Sequence, residues 1–295
     1  MKRLKVGENK CSFTLDGKPF FYLGDTIWSA FTNVTLEEWK YYLHTRKMQG
    51  FNVLQINTLP QWDRCMTDVG VYPFATKDGQ IFDFSKWDES YYERAREMCR
   101  MAKEEGFQLA LVVLWLNYVP GTWGSKMLDV NVMPEDFVEA YTEKVVKEFD
   151  EFAPIYIVSG DTDFDTEEAI GYYEKAFRVL CEKSPESLKA MHIKRGYDVI
   201  PEQFLDRIDF YMFQSGHNAK GQEMAYLLPE NESHSPSSAA RQSLLPRPGL
   251  PWKKLFSSSR FHEPRRSHRH RPRLKYCSRL PYEYPPAQIF HILFD

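Results

Sequence analysis

The stretch "AKEEGFQLALVVLWLN", residues 102–117, decides the fold. A helical pattern runs up to Gly106 and stops there, as helices commonly stop on a glycine just past the last turn. The next nine residues, FQLALVVLW (107–115), are nearly all apolar, which suits a strand buried on both faces. The strand then ends on Trp115 and Asn117, a ring and an amide. The same punctuation recurs at Gly50-Phe51, where a helix over 36–50 gives way to FNVLQINT (51–58). Helix, glycine and strand in immediate succession imply parallel strands covered by helices.

Working outward, the alternation holds through the first 230 residues. Strands are predicted at 20–28, 51–58, 107–115, from 155 in PIYIVSGDTDF, at 188–193 and at 209–217. Helices are predicted at 90–106 with Ser90 as N-cap, 134–152 with Pro134 in the first turn, 166–184, 201–208, and from 221. Asp163 and Asp165 read as the start and cap of the helix that follows them. Six strands fit either a doubly wound open sheet or a (β/α)8 barrel two units short. No G-x-G-x-x-G or G-x-x-x-x-G-K-[ST] phosphate loop is present.

The strand ends discriminate between the two. Asp25 and Trp28, Gln55 and Asn57, Trp115 and Asn117, Asp161, His192, and Gln214, Ser215 and His217 all fall at C-terminal ends. In a (β/α) barrel these ends converge on one face, where catalysis occurs. In an open sheet they would be spread along a line. The α/β class with a TIM-type barrel, six βα units of it recognisable, is therefore the expected fold. Hydrogen-bonding and aromatic groups from every strand suit a polyhydroxylated ligand, with sugar rings stacked on tryptophan. Taken singly, each residue also has a structural reading: Asp161 as a turn residue, Trp28 and Trp115 as core, His192 and His217 as bonded core histidines.

Composition narrows the class. The five cysteines form no C-x-x-C pair, which reads as reduced thiols, not a disulfide framework or zinc site. The N-terminus MKRLKVGENK lacks an apolar signal region, and no apolar run nears the ~18 residues of a membrane helix. A soluble cytoplasmic protein with no membrane partner, no metal and no cofactor is expected. The net charge of −3 hides a split: residues 1–230 hold 26 Lys+Arg against 37 Asp+Glu, and 231–295 hold 12 against 4. The tail also has nine prolines, ten serines and no valine. The expected domains are a barrel over 1–230 and a basic Ser/Pro/Arg-rich tail over 231–295.

The motifs "DGKPFFYLGDTIW" (16–28), "GFNVLQIN" (50–57), "YVPGTWG" (118–124), "IVSGD" (157–161) and "FQSGH" (213–217) together resemble the apiosidase-like glycoside hydrolases, in order, over residues 11–230. The resemblance implies a (β/α)8 barrel that hydrolyses glycosidic bonds, with the acid/base carboxylate at the end of the fourth barrel strand. That position is Asp161. The family commonly has Gly-Gly-Asp here, and Ser159 replaces the first glycine. Asp25, Trp28, Gln55, Asn57, Trp115, Asn117, His192, Gln214 and His217 would then grip hydroxyls and ring faces of a carbohydrate. The family's nucleophile is a Glu at the end of strand seven, after a glycine. No such strand follows here, and Glu263, in "RFHEP", is left unassigned.

The tail admits four readings. It is a nucleic-acid-binding segment of basic and aromatic residues, a metal site at "HRH", a disordered tail, or downstream coding sequence read out of frame. The onset of its odd composition where the family pattern stops favours the last, and with it a barrel whose first and sixth strands have open edges. Nucleic acid is not expected as a partner. Two rivals to a hydrolase stand: a non-catalytic carbohydrate-binding relative, and an unrelated barrel such as a sugar isomerase or aldolase. The latter would show metal ligands or a strand-end lysine, and neither is evident.

Overall fold

The computed structural model describes residues 1–61, 68–195, 197, 199–214 and 290–293. Three short antiparallel strands come first: β1 (Leu4–Val6), β2 (Phe13–Leu15) and β3 (Lys18–Phe20). The main sheet takes β4 (Gly24–Thr26) and β5 (Val53–Asn57), between which lie α1 (Ala30–Asn33) and α2 (Leu36–Met48). A separate hairpin of β6 (Phe74–Thr76) and β7 (Phe82–Trp87) leads into α3 (Glu89–Glu104). β8 (Gln108–Trp115), α4 (Trp123–Met127) and α5 (Phe137–Phe149) follow, then β9 (Ile155–Gly160) and α6 (Glu167–Lys183). β10 (Lys189–His192), α7 (Glu202–Leu205), β11 (Phe210–Gln214) and, much later, β12 (Phe290–Leu293) complete the described elements.

The sheet order β4-β5-β8-β9-β10-β11 is the chain order, and all five pairings are parallel. A doubly wound sheet reverses its strand order at a switch point, so strict succession selects the barrel, here an incomplete one. Every residue of β5, β8 and β9 is buried. Helices cover the outer side: α3 buries Tyr91, Ala95, Met98 and Ala102, and α6 buries Ala169, Tyr173, Ala176 and Leu180, the three- and four-residue steps of a helical stripe. Phe13 of β2 packs edge-on against Phe210 of β11, ring centroids 5.0 Å apart, and tilted against Tyr22 at 5.7 Å. Arg3 reaches Asp150 and Ser187. The three N-terminal strands are thereby fastened beneath the sheet. Among the described residues no helix is long and apolar enough to cross a membrane.

Several boundaries differ from expectation for identifiable reasons. The α3 N-cap is Asp88, whose carboxylate accepts the Ser90 N–H at 3.0 Å, so Ser90 lies inside the helix. Pro134 precedes α5, its carbonyl accepting the Phe137 N–H in a turn. Thr166, not Asp163 or Asp165, caps α6, its hydroxyl accepting the Ala169 N–H at 3.2 Å. The expected helix from 221 lies outside the described residues. The sixth strand's edge, expected open, is paired: β12 from the tail runs antiparallel to β11, with Gln214 opposite Phe290.

α2 begins with a capping box. The Thr35 hydroxyl accepts the Glu38 N–H, and the Glu38 carboxylate accepts the Thr35 N–H at 2.9 Å. Thr35→Ala should cost about 1 kcal/mol of stability, read as a lowered urea midpoint at unchanged slope. A shift below about 0.3 kcal/mol would mean that packing of Trp39 and Leu43 alone sets this helix.

Candidate active site

The C-terminal strand ends meet. Trp28 follows β4, Trp115 ends β8 and His192 ends β10, which are the first, third and fifth parallel strands. Their ring centroids lie 5.3 Å apart for Trp28 and Trp115, 5.5 Å for Trp28 and His192, and 6.0 Å for Trp115 and His192. Four strand spacings separate β4 from β10, roughly 19 Å if the sheet were flat. Curvature closes that distance and builds one aromatic cluster from three separate strands.

Buried polar atoms with no partner among the described residues lie at the same strand ends. Both amide atoms of Asn57, the indole N–H of Trp115 and the amide oxygen of Asn117 are buried and make no hydrogen bond to another described residue. Buried groups of this kind cost about 1–3 kcal/mol each when unpaired, so their concentration at the strand ends marks a surface shaped for a polar ligand. Gln55 is buried as well, its amide set against Tyr22 and the face of Gly24.

The turn after β9 explains the sequence Ser-Gly-Asp. Ser159 bonds the next strand, its hydroxyl meeting the His192 main chain at 3.2 Å. Gly160 lies under the Trp115 ring, and a Cβ there would stand under 3.0 Å from three ring atoms. Asp161 is left-handed at φ 57°, a region aspartate enters more readily than most residues. Its N–H donates to His192 Nδ1 at 2.9 Å and its carbonyl accepts from Trp123 Nε1 at 2.8 Å. Because Nδ1 accepts, the neutral imidazole carries its proton on Nε2. Burial pushes the His192 pKa down to about 3. Phe164 is left-handed as well, at φ 53°, so the turn holds two conformations that cost of order 1–3 kcal/mol each away from glycine.

Asp25 stands apart. On a strand successive side chains alternate, and this one faces the helical layer, where its carboxylate accepts the Tyr42 hydroxyl at 2.6 Å and pairs with Arg46. It fastens α2 to β4 and does not join the cluster. Asp163 and Asp165 are likewise not helix starters. Asp163 is fully buried, accepts the Trp123 N–H at 3.2 Å and faces Lys194 Nζ at 3.5 Å. Asp165 accepts the Tyr197 hydroxyl at 2.9 Å. Gln214 is placed by its backbone in β11, while its side chain, Ser215, His217, and His234, His262, His268 and His270 of the tail lie outside the described residues. Among the described residues no three of His, Cys, Asp or Glu gather as metal ligands.

A half-barrel of parallel strands with an aspartate turn on its aromatic, C-terminal face has the fold of the glycoside hydrolases. This chain is similar to a solved glycoside hydrolase at 25% identity and TM-score 0.57, over 75% of this chain and 47% of that one. It shares its fold with a glycoside hydrolase family 5 structure from Bacteroides vulgatus ATCC 8482, at 23% identity and TM-score 0.59, over 75% and 46%. The chain thus spans about half the length of these solved relatives. It belongs to the apiosidase-like family: the model of the apiosidase-like catalytic domain matches residues 8–242, somewhat past the boundary expected at 230. No curated protein matches the chain.

Proposed function

We propose that this chain carries the acid/base half of a retaining glycoside hydrolase site for a plant-type or other complex poly- or oligosaccharide. The observation that carries the reading is the convergence of Trp28, Trp115 and His192 on the Asp161 turn, with Asn57 and Asn117 offering buried polar atoms beside it. Sugar rings stack on indole faces, and amides exchange hydrogen bonds with hydroxyls. In this reading Asp161 gives its proton to the glycosidic oxygen as the bond to the anomeric carbon breaks. A second carboxylate about 5–5.5 Å away attacks that carbon, and Asp161 then takes a proton from the water that frees the sugar.

That second carboxylate is the strand-seven glutamate, and we assign the tail beyond the family match, residues 243–295, to downstream coding sequence read out of frame. The DNA across codons 220–295 should then encode, in another frame, a valine-rich strand ending in Gly-Glu. The restored chain should hydrolyse aryl glycosides, and Asp161→Asn should lower its kcat by about 10²–10⁴. Measurable turnover by the pure 295-residue chain would remove the lost-nucleophile assignment. A restored chain without turnover would sink the hydrolase reading. A carbohydrate-binding role without catalysis is the second reading, favoured by a pocket that keeps its tryptophans and asparagines; binding unchanged in Asp161→Asn, with no turnover in any frame, would select it.

A further inference from the structure

We propose that Trp123 is a positioning residue which, together with His192, clamps the peptide groups on both sides of Asp161 and so sets where its carboxylate points. The inference rests on the reading of Asp161 as acid/base. Beyond Gly160 the strand ladder has ended, and the N–H and C=O of Asp161 are taken instead by two side chains. His192 Nδ1 accepts the N–H at 2.9 Å, and Trp123 Nε1 donates to the carbonyl at 2.8 Å. A left-handed aspartate persists where its surroundings over-determine it, and here the start of α4 and the end of β10 supply the restraint.

The clamp is itself anchored. The Trp123 N–H donates to Asp163 Oδ2 at 3.2 Å, and the fully buried Asp163 faces Lys194 Nζ at 3.5 Å. The Lys194 N–H donates to the Thr162 carbonyl at 2.8 Å, and Thr162 bridges Ile193 in parallel. Asp161 and Asp163 are thus tied to Trp123 on one side, and all three residues 161–163 to residues 192–194 on the other. α4 is fixed in turn to the end of β8, because the Thr122 hydroxyl donates to the Leu116 carbonyl at 2.6 Å and accepts the Ser125 N–H at 3.2 Å. α4, anchored to the end of β8, and the end of β10 therefore meet on the two peptides flanking Asp161, just past β9. Aspartate direction is the quantity an acid catalyst needs held, since misplacement by about 1 Å can cost ~10² in rate.

The test replaces Trp123 by phenylalanine, and separately by benzothienylalanine, which puts sulfur where the indole N–H was at nearly the same volume. The first readout is nitrogen NMR of the His192 ring in the full 295-residue chain. The wild type should show one tautomer, protonated on Nε2. Both variants should show mixed tautomers, with solvent exchange of the Asp161 amide faster by about tenfold or more. An unchanged tautomer and unchanged exchange in a folded variant would overturn the clamp. The second readout is turnover of the restored chain: kcat should fall about 10- to 100-fold with KM within about twofold, and a loss confined to KM would also overturn it. If the restored wild type has no turnover while the tautomer still mixes, the clamp stands and the acid/base reading is the part that fails.

Discussion

Gly160→Ala should destabilise the chain by about 3 kcal/mol, the upper range for forcing a methyl into a packed site. The added Cβ would meet three atoms of the Trp115 ring at under 3.0 Å. That ring cannot swing aside cheaply, because it is 3% exposed and packed against both Trp28 and His192. The expected signature is a lowered urea midpoint with an unchanged slope. Trp115→Phe in the same chain should recover part of the loss, since neighbours sharing one clash are not additive. A cost below about 0.5 kcal/mol would show that the ring is not seated against the strand end.

The second large effect is acid lability. His192 is buried neutral with its pKa pushed down from 6.5 to about 3. The unfolded chain binds a proton near pH 6.5 and the folded chain does not until near pH 3, so unfolding takes up a proton throughout that window. Stability from this group is fully present above about pH 6.5 and falls as the pH drops toward 3; by about pH 5 the loss is ~2 kcal/mol. Asparagine at 192 should flatten this slope by about one proton, because its amide oxygen accepts the Asp161 N–H as Nδ1 does and does not titrate. An equally steep acid slope in His192→Asn would assign the lability to other groups.

The six parallel strands were legible because each is an apolar run closed by a polar or aromatic residue, and because Gly50 and Gly106 sit one residue past the caps of α2 and α3. The N-terminal strands escaped notice. Each has three residues, and lysines at 5 and 18 break the apolar pattern. A signal existed even so, since Asp16-Gly17 between FTL and KPF is a two-residue hairpin turn, and both residues do have positive φ. Strand-end position picked out Trp28, Trp115 and His192, which the fold brings together, but could not say which way a side chain points. Asp25 failed on that ground, its partners Tyr42 and Arg46 lying 17 and 21 residues away on a helix. Trp123 and Asp163 were hidden for another reason: they meet across 40 residues, in a motif read only as a family mark and a carboxylate read only as a helix start.

Phe13 against Phe210 of β11, and Arg3 against Ser187 just before β10 at a separation of 184 residues, couple the first residues to the fifth and sixth parallel strands. During synthesis the first twenty residues emerge with nothing to dock on until β10 and β11 have left the ribosome. Closing so long a loop costs entropy before any contact rewards it. Order at the N-terminus is therefore a late event that depends on a finished sheet. The segment made first is the one that settles last, and its arrival reports that the rest of the shell is in place.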